Sequence, residues 1–393
     1  MPDGLNLGVP TRWWPLLRSG VLSPAESLRV LRDRVSPHVG TGTAFGDRSV
    51  GEIVGERLGR PVVDRLADPL IGGIHAGNVD QLSAAATFPV LIAASHQSGS
   101  LMRRLGAARA RAASSDPGPE TPVFWSLKGT TAGLAESLAA ALTARGVSLR
   151  AGTAVEAIER RPSSRRGGGG WLLTLGSPGS APGGSGTLEV EGVVLAVPAP
   201  ESAVLLAPHA PAAAGVLSTI RYASVAVVTL ALPAGSVGPP RQGTGFLVPR
   251  TSTVDRRPAL VTGCTFLTRK WPHLARPGDE LIRASVGRFG DDRHATLDDD
   301  RLTASVLGEL RTLLDIRADP FEILVTRWDG AFPQYEVGHL IRVGRIEEDV
   351  ADLPGVAVAG AALRGVGIPA CIGSGRTAAR RVLTSLAGPV PQP

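Results

Sequence analysis

The run Val356-Ala357-Val358-Ala359-Gly360, then Arg364-Gly365-Val366-Gly367, then an apolar-periodic stretch from Ile368 through Gly375 to Leu386, decides how this chain folds. The short unbroken apolar run reads as a buried strand, the glycine cluster as a tight turn, and the long stretch as a helix. Glycines at such a junction let backbone approach a flat, anionic ligand. The first turn of the helix offers unpaired N–H groups and a positive dipole end, which favour negative charge or an electron-rich ring edge. Taken alone, this spacing also suits a plain strand-to-helix connection, so the remainder of the chain has to decide.

At 393 residues and 43% apolar content, the chain has material for two or three packed units. Its basic excess is almost all arginine, with Lys128 and Lys270 the only lysines, and acids are interspersed throughout. Only Arg160-Arg161 with Arg165-Arg166 approaches a cluster, which argues against a nucleic-acid partner. A diffuse positive field still favours anionic substrates. Cys264 and Cys371 lack metal-ligand spacing and fit a reducing cytoplasm, so no metal site is expected. No apolar run reaches the roughly 18 residues of a membrane span, and no charged-then-apolar leader opens the chain. A cytoplasmic protein is expected. Trp13-Trp14 with Leu16-Leu17 begins an amphipathic stretch that leaves peripheral membrane contact open, although core packing is the favoured reading.

The first hundred residues read as helices. Ser23-Pro24-Ala25-Glu26 is a capping box with proline at the first helical position, and Ser49 with Glu52 repeats the device before a helix that Gly59 should end. A βαβ-like passage follows a linker: a strand over Pro122 to Ser126, a helix over Thr131 to Arg145 stopped by Gly146, and a strand over Val147 to Arg150. Thr153 to Arg160, Trp171 to Leu175 and Leu188 to Val197 read as a three-stranded meander. Its glycine-rich connections, Ser163 to Gly170 and Gly176 to Gly186, are expected to be mobile. Longer strands follow at Tyr222 to Leu232, Gly245 to Pro249 and Ala259 to Phe266, with helices near Asp279 to Phe289 and Asp299 to Leu314. There is no G-x-S-x-G, no paired metal histidine and no P-loop, so no catalytic side chain stands out.

Several motifs extend the reading. Near the C-terminus stand Arg327-Trp328, Phe332-Pro333-Gln334-Tyr335-Glu336-Val337-Gly338-His339, Leu353-Pro354-Gly355, Ala359-Gly360-Ala361-Ala362, Arg364-Gly365-Val366-Gly367-Ile368-Pro369 and Cys371-Ile372-Gly373-Ser374-Gly375. Far upstream stand Ser49-Val50-Gly51-Glu52, Asp68-Pro69-Leu70-Ile71-Gly72-Gly73-Ile74-His75-Ala76-Gly77-Asn78 and Ala86-Thr87-Phe88-Pro89. Between them lie Ser126-Leu127-Lys128-Gly129, Val193 to Ala199 and Gly245-Phe246-Leu247-Val248-Pro249. In this order the chain resembles the FAD-dependent protoporphyrinogen and coproporphyrinogen III oxidases of haem synthesis, over nearly its whole length.

The resemblance implies an α/β (α+β mixed) Rossmann-like flavoprotein fold with a helical domain and a mixed-sheet substrate domain. It implies a helical domain at 11–115, flavin-domain parts at 120–200 and 355–390, and a substrate domain at 1–10 and 201–354. It implies oxidation of a porphyrinogen by FAD and oxygen, with Val155, Lys128, Gly360, Val366, Gly367 and Ile368 at the cofactor. Gly72, Gly73, Phe246, Leu247 and Arg364 would meet the substrate. His339 is expected to be structural rather than a proton carrier. Coproporphyrinogen is the favoured substrate, because a GC-biased, arginine-rich composition resembles organisms that oxidise it before iron insertion. Arg364→Ala is accordingly expected to narrow that preference. A homodimer and a haem-pathway enzyme partner are left open, as are two alternatives: another flavin amine oxidase-like enzyme, and an inactive homologue that binds porphyrin or a partner.

Enzymes of this resemblance open with a dinucleotide-binding strand, a G-x-G-x-x-G turn and a helix. That motif does not occur in the sequence, which begins Met1-Pro2-Asp3-Gly4-Leu5. The expectation is therefore an N-terminally truncated product or a start assigned too late, with little FAD held by the chain as written.

Overall fold

The computed structural model describes residues 2–35, 46–114, 126–127, 129–161, 169–176, 186–238, 243–274 and 276–387. The expected strand over 122–126 falls almost wholly outside them, as does most of both glycine-rich connections. The chain forms two compact units, Met1–Thr131 with Tyr222–Gly338, and Ala132–Arg221 with His339–Pro393.

The first unit contains a helical layer and a sheet. Helix Pro24–Val30 starts with the expected capping box: the Glu26 N–H donates to Ser23 Oγ at 3.3 Å and the Ser23 N–H to the Glu26 carboxylate at 2.8 Å. Both otherwise orphaned donors are satisfied, so Ser23→Ala should cost about 1 kcal/mol. A urea titration should show a lower midpoint with the slope unchanged. Ser49 caps helix Val50–Leu58 in the same way, and Gly59 ends it in a positive-φ conformation. Leu16, Ile53, Leu66, Leu82, Leu91 and Leu105 are among the buried residues of this layer's core. Trp13 packs against that core and donates its indole N–H to the Ser27 carbonyl at 2.8 Å. The expected amphipathic stretch thus turns its apolar side inward, leaving Trp14 exposed beneath the Arg18 guanidinium.

The sheet of this unit has five strands in the order Glu322–Pro333, Tyr222–Pro233, Asp279–Val286, Val261–Phe266, Gly245–Leu247. Every pairing in it is antiparallel, where a mixed sheet is the sequence expectation. The segment expected as a helix near 279–289 is its middle strand, held by an eight-residue register against Tyr222–Pro233. Alternation along the strands sends Ala226, Val228, Leu230, Ile282, Ala284 and Phe266 into one core, which also holds Leu302, Val306, Leu310 and Leu314 of helix Asp299–Leu314. The intervening residues form the opposite face.

The second unit holds the antiparallel meander Ala154–Arg161, Gly170–Gly176, Gly186–Val190 and a parallel pair, Val193–Leu195 with Val356–Val358. The strand expected over 188–197 therefore divides at Glu191-Gly192, its second half turning to the C-terminal strand. Helix Ala132–Ala144 matches the alanine-rich run, but Val147 to Arg150 forms no strand and is exposed. Residues 201–221 and 339–354 lie in this unit, where the Ala213 N–H donates to the Asp349 carboxylate at 2.6 Å and His209 Nε2 lies 2.7 Å from the Ile158 carbonyl. Trp171 locks the meander down, donating its indole N–H to the Pro354 carbonyl at 3.0 Å and meeting His209 edge-on at 5.1 Å.

Candidate functional site

Strand Val356–Val358 runs into a turn that leads to the helix Ile368–Ala387. Gly360 adopts φ +118°, and its N–H donates to Ser374 Oγ at 3.0 Å, tying the end of the strand to the helix's second turn. Gly365 comes so close to the helix that a Cβ there would meet the Ala370 methyl at 2.6 Å. Gly367 immediately precedes the helix, and its carbonyl accepts the first helical bond from the Cys371 N–H at 3.0 Å. Around Gly367 there is space: a Cβ would meet only Pro369, at 3.8 Å. Gly367 and Ile368 are exposed, and no acid stands in the first helical turn. A helix start with open space at Gly367 and no negative charge suits the electron-rich edge of a flat ring. The residues present fit a flavin.

A cavity of about 450 Å³ lies against the same helix, floored by Ala357, Val358 and Ala378 and edged by Ser374, Arg364 and Glu347. Arg364, expected at the substrate, instead forms a two-point ion pair with Glu347, its Nε 3.0 Å from the carboxylate. To meet a substrate carboxylate, Arg364 would have to exchange this ion pair. Val155 lies half-exposed beside a bulge in strand Ala154–Arg161. Lys128 lies outside the described residues. His339 is fully buried with its Nε2 2.7 Å from the Leu363 carbonyl, a brace for the turn.

In the first unit, the segment from Val63 to Gly72 widens to π-helical turns around Pro69, and a short helical turn, Gly73–His75, follows. Such widened turns are frequent at functional sites. A Cβ on Gly72 would meet Asp68 Oδ1 and the Gly77 carbonyl at 3.0 Å, so this glycine serves packing. Gly73 is the exposed member of the pair, and a Cβ there would come within 3.9 Å of Leu247 Cδ2. Gly73 and Leu247 thus share one surface patch. Phe246 points the other way, packing against the buried cluster with its ring 6.3 Å from that of Phe266. Alternation explains this, since neighbours on one strand face opposite sides.

Three residues that the sequence reading does not select hold this patch together. Arg250 donates to the Gly77 carbonyl at 3.0 Å and stands 3.7 Å from the Asp68 carboxylate. Gln334 donates to the His75 carbonyl at 3.0 Å, and the Phe289 N–H donates to the Ala76 carbonyl at 2.6 Å. Gln334 lies in the quoted Phe332-to-His339 motif, and that was the available signal.

Burial also pushes the His75 imidazole down to about 4. An unfolded histidine titrates near 6.5, so the unfolded chain binds the proton first as pH falls. Stability is full above about pH 6.5 and declines toward pH 4, by about 3 kcal/mol in all. Urea midpoints across that range should show the slope, and His75→Phe should remove its share. Burial likewise pushes the Cys264 thiol up to about 12, so it is inert. Among the described residues no group of histidine, cysteine or acidic side chains could hold a metal, and no helix is long and apolar enough to cross a membrane.

A strand, glycine turn and exposed helix start in one unit, with an antiparallel sheet and helical layer in the other, define a flavin-dependent oxidoreductase. The chain belongs to the flavin containing amine oxidoreductase family, whose model matches residues 7–383. It is 34% identical to the coproporphyrinogen III oxidase of Bacillus subtilis, over 98% of this chain and 77% of that one. With the coproporphyrinogen III oxidase of Propionibacterium freudenreichii it shares 32% identity over 100% of this chain and 74% of the other. A crystal structure from Exiguobacterium sp. 255-15, provisionally named a protoporphyrinogen oxidase, matches with a TM-score of 0.80 and 30% identity, over 98% of this chain and 77% of that one.

Proposed function

We propose that this chain oxidises a porphyrinogen, coproporphyrinogen III in preference to protoporphyrinogen IX, with FAD as the electron carrier and oxygen as the final acceptor. The observation that carries this reading is the similarity, over 98% of this chain and 77% of the Bacillus subtilis relative, to an oxidase of that name, joined to an open, uncharged helix start at Gly367. A bound flavin supplies the hydride acceptor and passes electrons to oxygen. The protein's own task is positioning the macrocycle against that acceptor. The turn from Gly360 to Ile368 carries three glycines, Gly360, Gly365 and Gly367, at which a ligand could approach the backbone. The patch around Gly73, Ile74 and Leu247 offers exposed apolar surface for a flat macrocycle, held in place by Arg250 and Gln334.

Coproporphyrinogen carries four propionates where protoporphyrinogen carries two, so an enzyme for the former gains more from each cationic contact. The test compares kcat/KM for the two porphyrinogens by product fluorescence, at matched oxygen and with FAD in excess so that mass action compensates for weak retention. Higher efficiency with coproporphyrinogen III is expected. Higher efficiency with protoporphyrinogen IX would overturn the substrate assignment and leave the oxidase reading standing.

A further inference from the structure

The face of the five-stranded sheet opposite helix Asp299–Leu314 has an unusual composition. Its cross-strand register places Leu324, Thr229, Arg283, Thr265 and Gly245 in one row across all five strands. The adjacent row on the same face is Thr326, Val227, Ser285, Gly263 and Leu247. Small or β-branched residues dominate both rows, so the floor is low and flat across about 19 Å of strand spacing. At one margin stand the exposed Leu324 and Trp328, 61% and 53% accessible. At the other, Leu247 meets Gly73 of the helical layer. One charged side chain stands in the two rows: Arg283, at the centre of the central strand.

Arg283 is exposed, and its side chain makes no hydrogen bond or ion pair among the described residues. Its neighbours on this face, Thr229 and Thr265 directly across, Val227, Ala231 and Gly263 diagonally, and Leu281 and Ser285 along its own strand, are all uncharged. Sheets place unpaired charges on edge strands, where they deter association with other chains. A lone guanidinium in mid-sheet does no such service. It does present a planar donor fork to a carboxylate arriving over an apolar floor.

We infer that Arg283 anchors a carboxylate of the tetrapyrrole on this face and sets the preference for the more highly carboxylated porphyrinogen. The inference rests on the porphyrinogen reading above. A flat ring on the Val227 and Leu247 row, bounded by Trp328 and Leu324, would bring its acidic substituents within reach of Arg283.

The test uses binding rather than turnover, so it needs no flavin. Coproporphyrin III and its tetramethyl ester, each in the same mild detergent, are titrated against the full chain, with quenching of tryptophan fluorescence as the signal. Arg283→Gln should weaken binding of the free acid about tenfold or more and leave the ester unchanged, while Arg283→Lys restores most of the loss. Thermal unfolding of both variants should match the parent, because the side chain is exposed. Unchanged affinity of Arg283→Gln for the acid overturns the inference and leaves the porphyrinogen reading intact. So does an equal loss for acid and ester, which would mark general damage to the face. If the parent chain binds neither ligand, the porphyrinogen reading of this unit fails as well.

Discussion

Gly367→Asp is expected to raise the dissociation constant for FAD by about a hundredfold or more while leaving the helix after it as stable as before, or more so. Both directions follow from one geometry. The position has open space around it, so the new side chain meets no clash. Aspartate directly before a helix is a favourable cap, adding up to about 1 kcal/mol to helix stability. That same carboxylate then occupies the anion-attracting end of the helix and faces the electron-rich edge of the ring. Placing an unpaired charge against such a ligand costs several kcal/mol. A titration following quenching of flavin fluorescence reads the affinity, and a urea melt reads the stability. Retained affinity would show that the flavin edge does not meet this turn.

Asp33→Ala should produce the largest loss of stability in the helical layer, about 3–5 kcal/mol. Asp33 is fully buried, and its carboxylate accepts from Ser100 Oγ at 2.6 Å and from the Leu101 and Met102 N–H groups at 3.0 Å each. The Arg57 Nε–H donates to it as well, at 2.9 Å. One side chain therefore caps the helix Leu101–Ser114 and neutralises a nearly buried guanidinium. Removing it leaves the Leu101 and Met102 N–H groups without their acceptor and Arg57 with the Gly99 carbonyl but no counter-charge. Asp33→Asn, which keeps acceptor oxygen but loses the charge, should fall between the parent and the alanine variant. Denaturant melts of the three proteins give the ranking, and near-equal midpoints would show that Arg57 finds another partner.

Local signals made much of this legible in the sequence. The capping box at Ser23, the Gly59 stop, the meander and the strand-turn-helix from Val356 all depend on nearest neighbours, and the chain records them directly. The failures share a different cause. Ile282 to Val286 does alternate apolar with polar residues, but the preceding Asp279-Glu280-Leu281 does not, and pairing with strands on both sides makes the segment the centre of a sheet. Residues 201–221 and 339–354 fall in the second unit, where partners distant in sequence meet, such as Ala213 with Asp349. The charge logic was the least visible. Arg364 and Arg283 look alike in sequence, one beside a glycine turn and the other in an apolar run. Only the fold places Glu347 against the first and a ring of uncharged residues around the second.

The most direct measurement supplies the 393-residue chain with excess FAD, coproporphyrinogen III and oxygen, and follows porphyrin fluorescence and peroxide together. The account predicts a fluorescence rise well above that of FAD alone, accompanied by peroxide, suppressed when oxygen is removed and sharply reduced in Gly367→Asp. A rate no greater than that of free FAD in buffer, with the chain folded and the flavin bound, would contradict it.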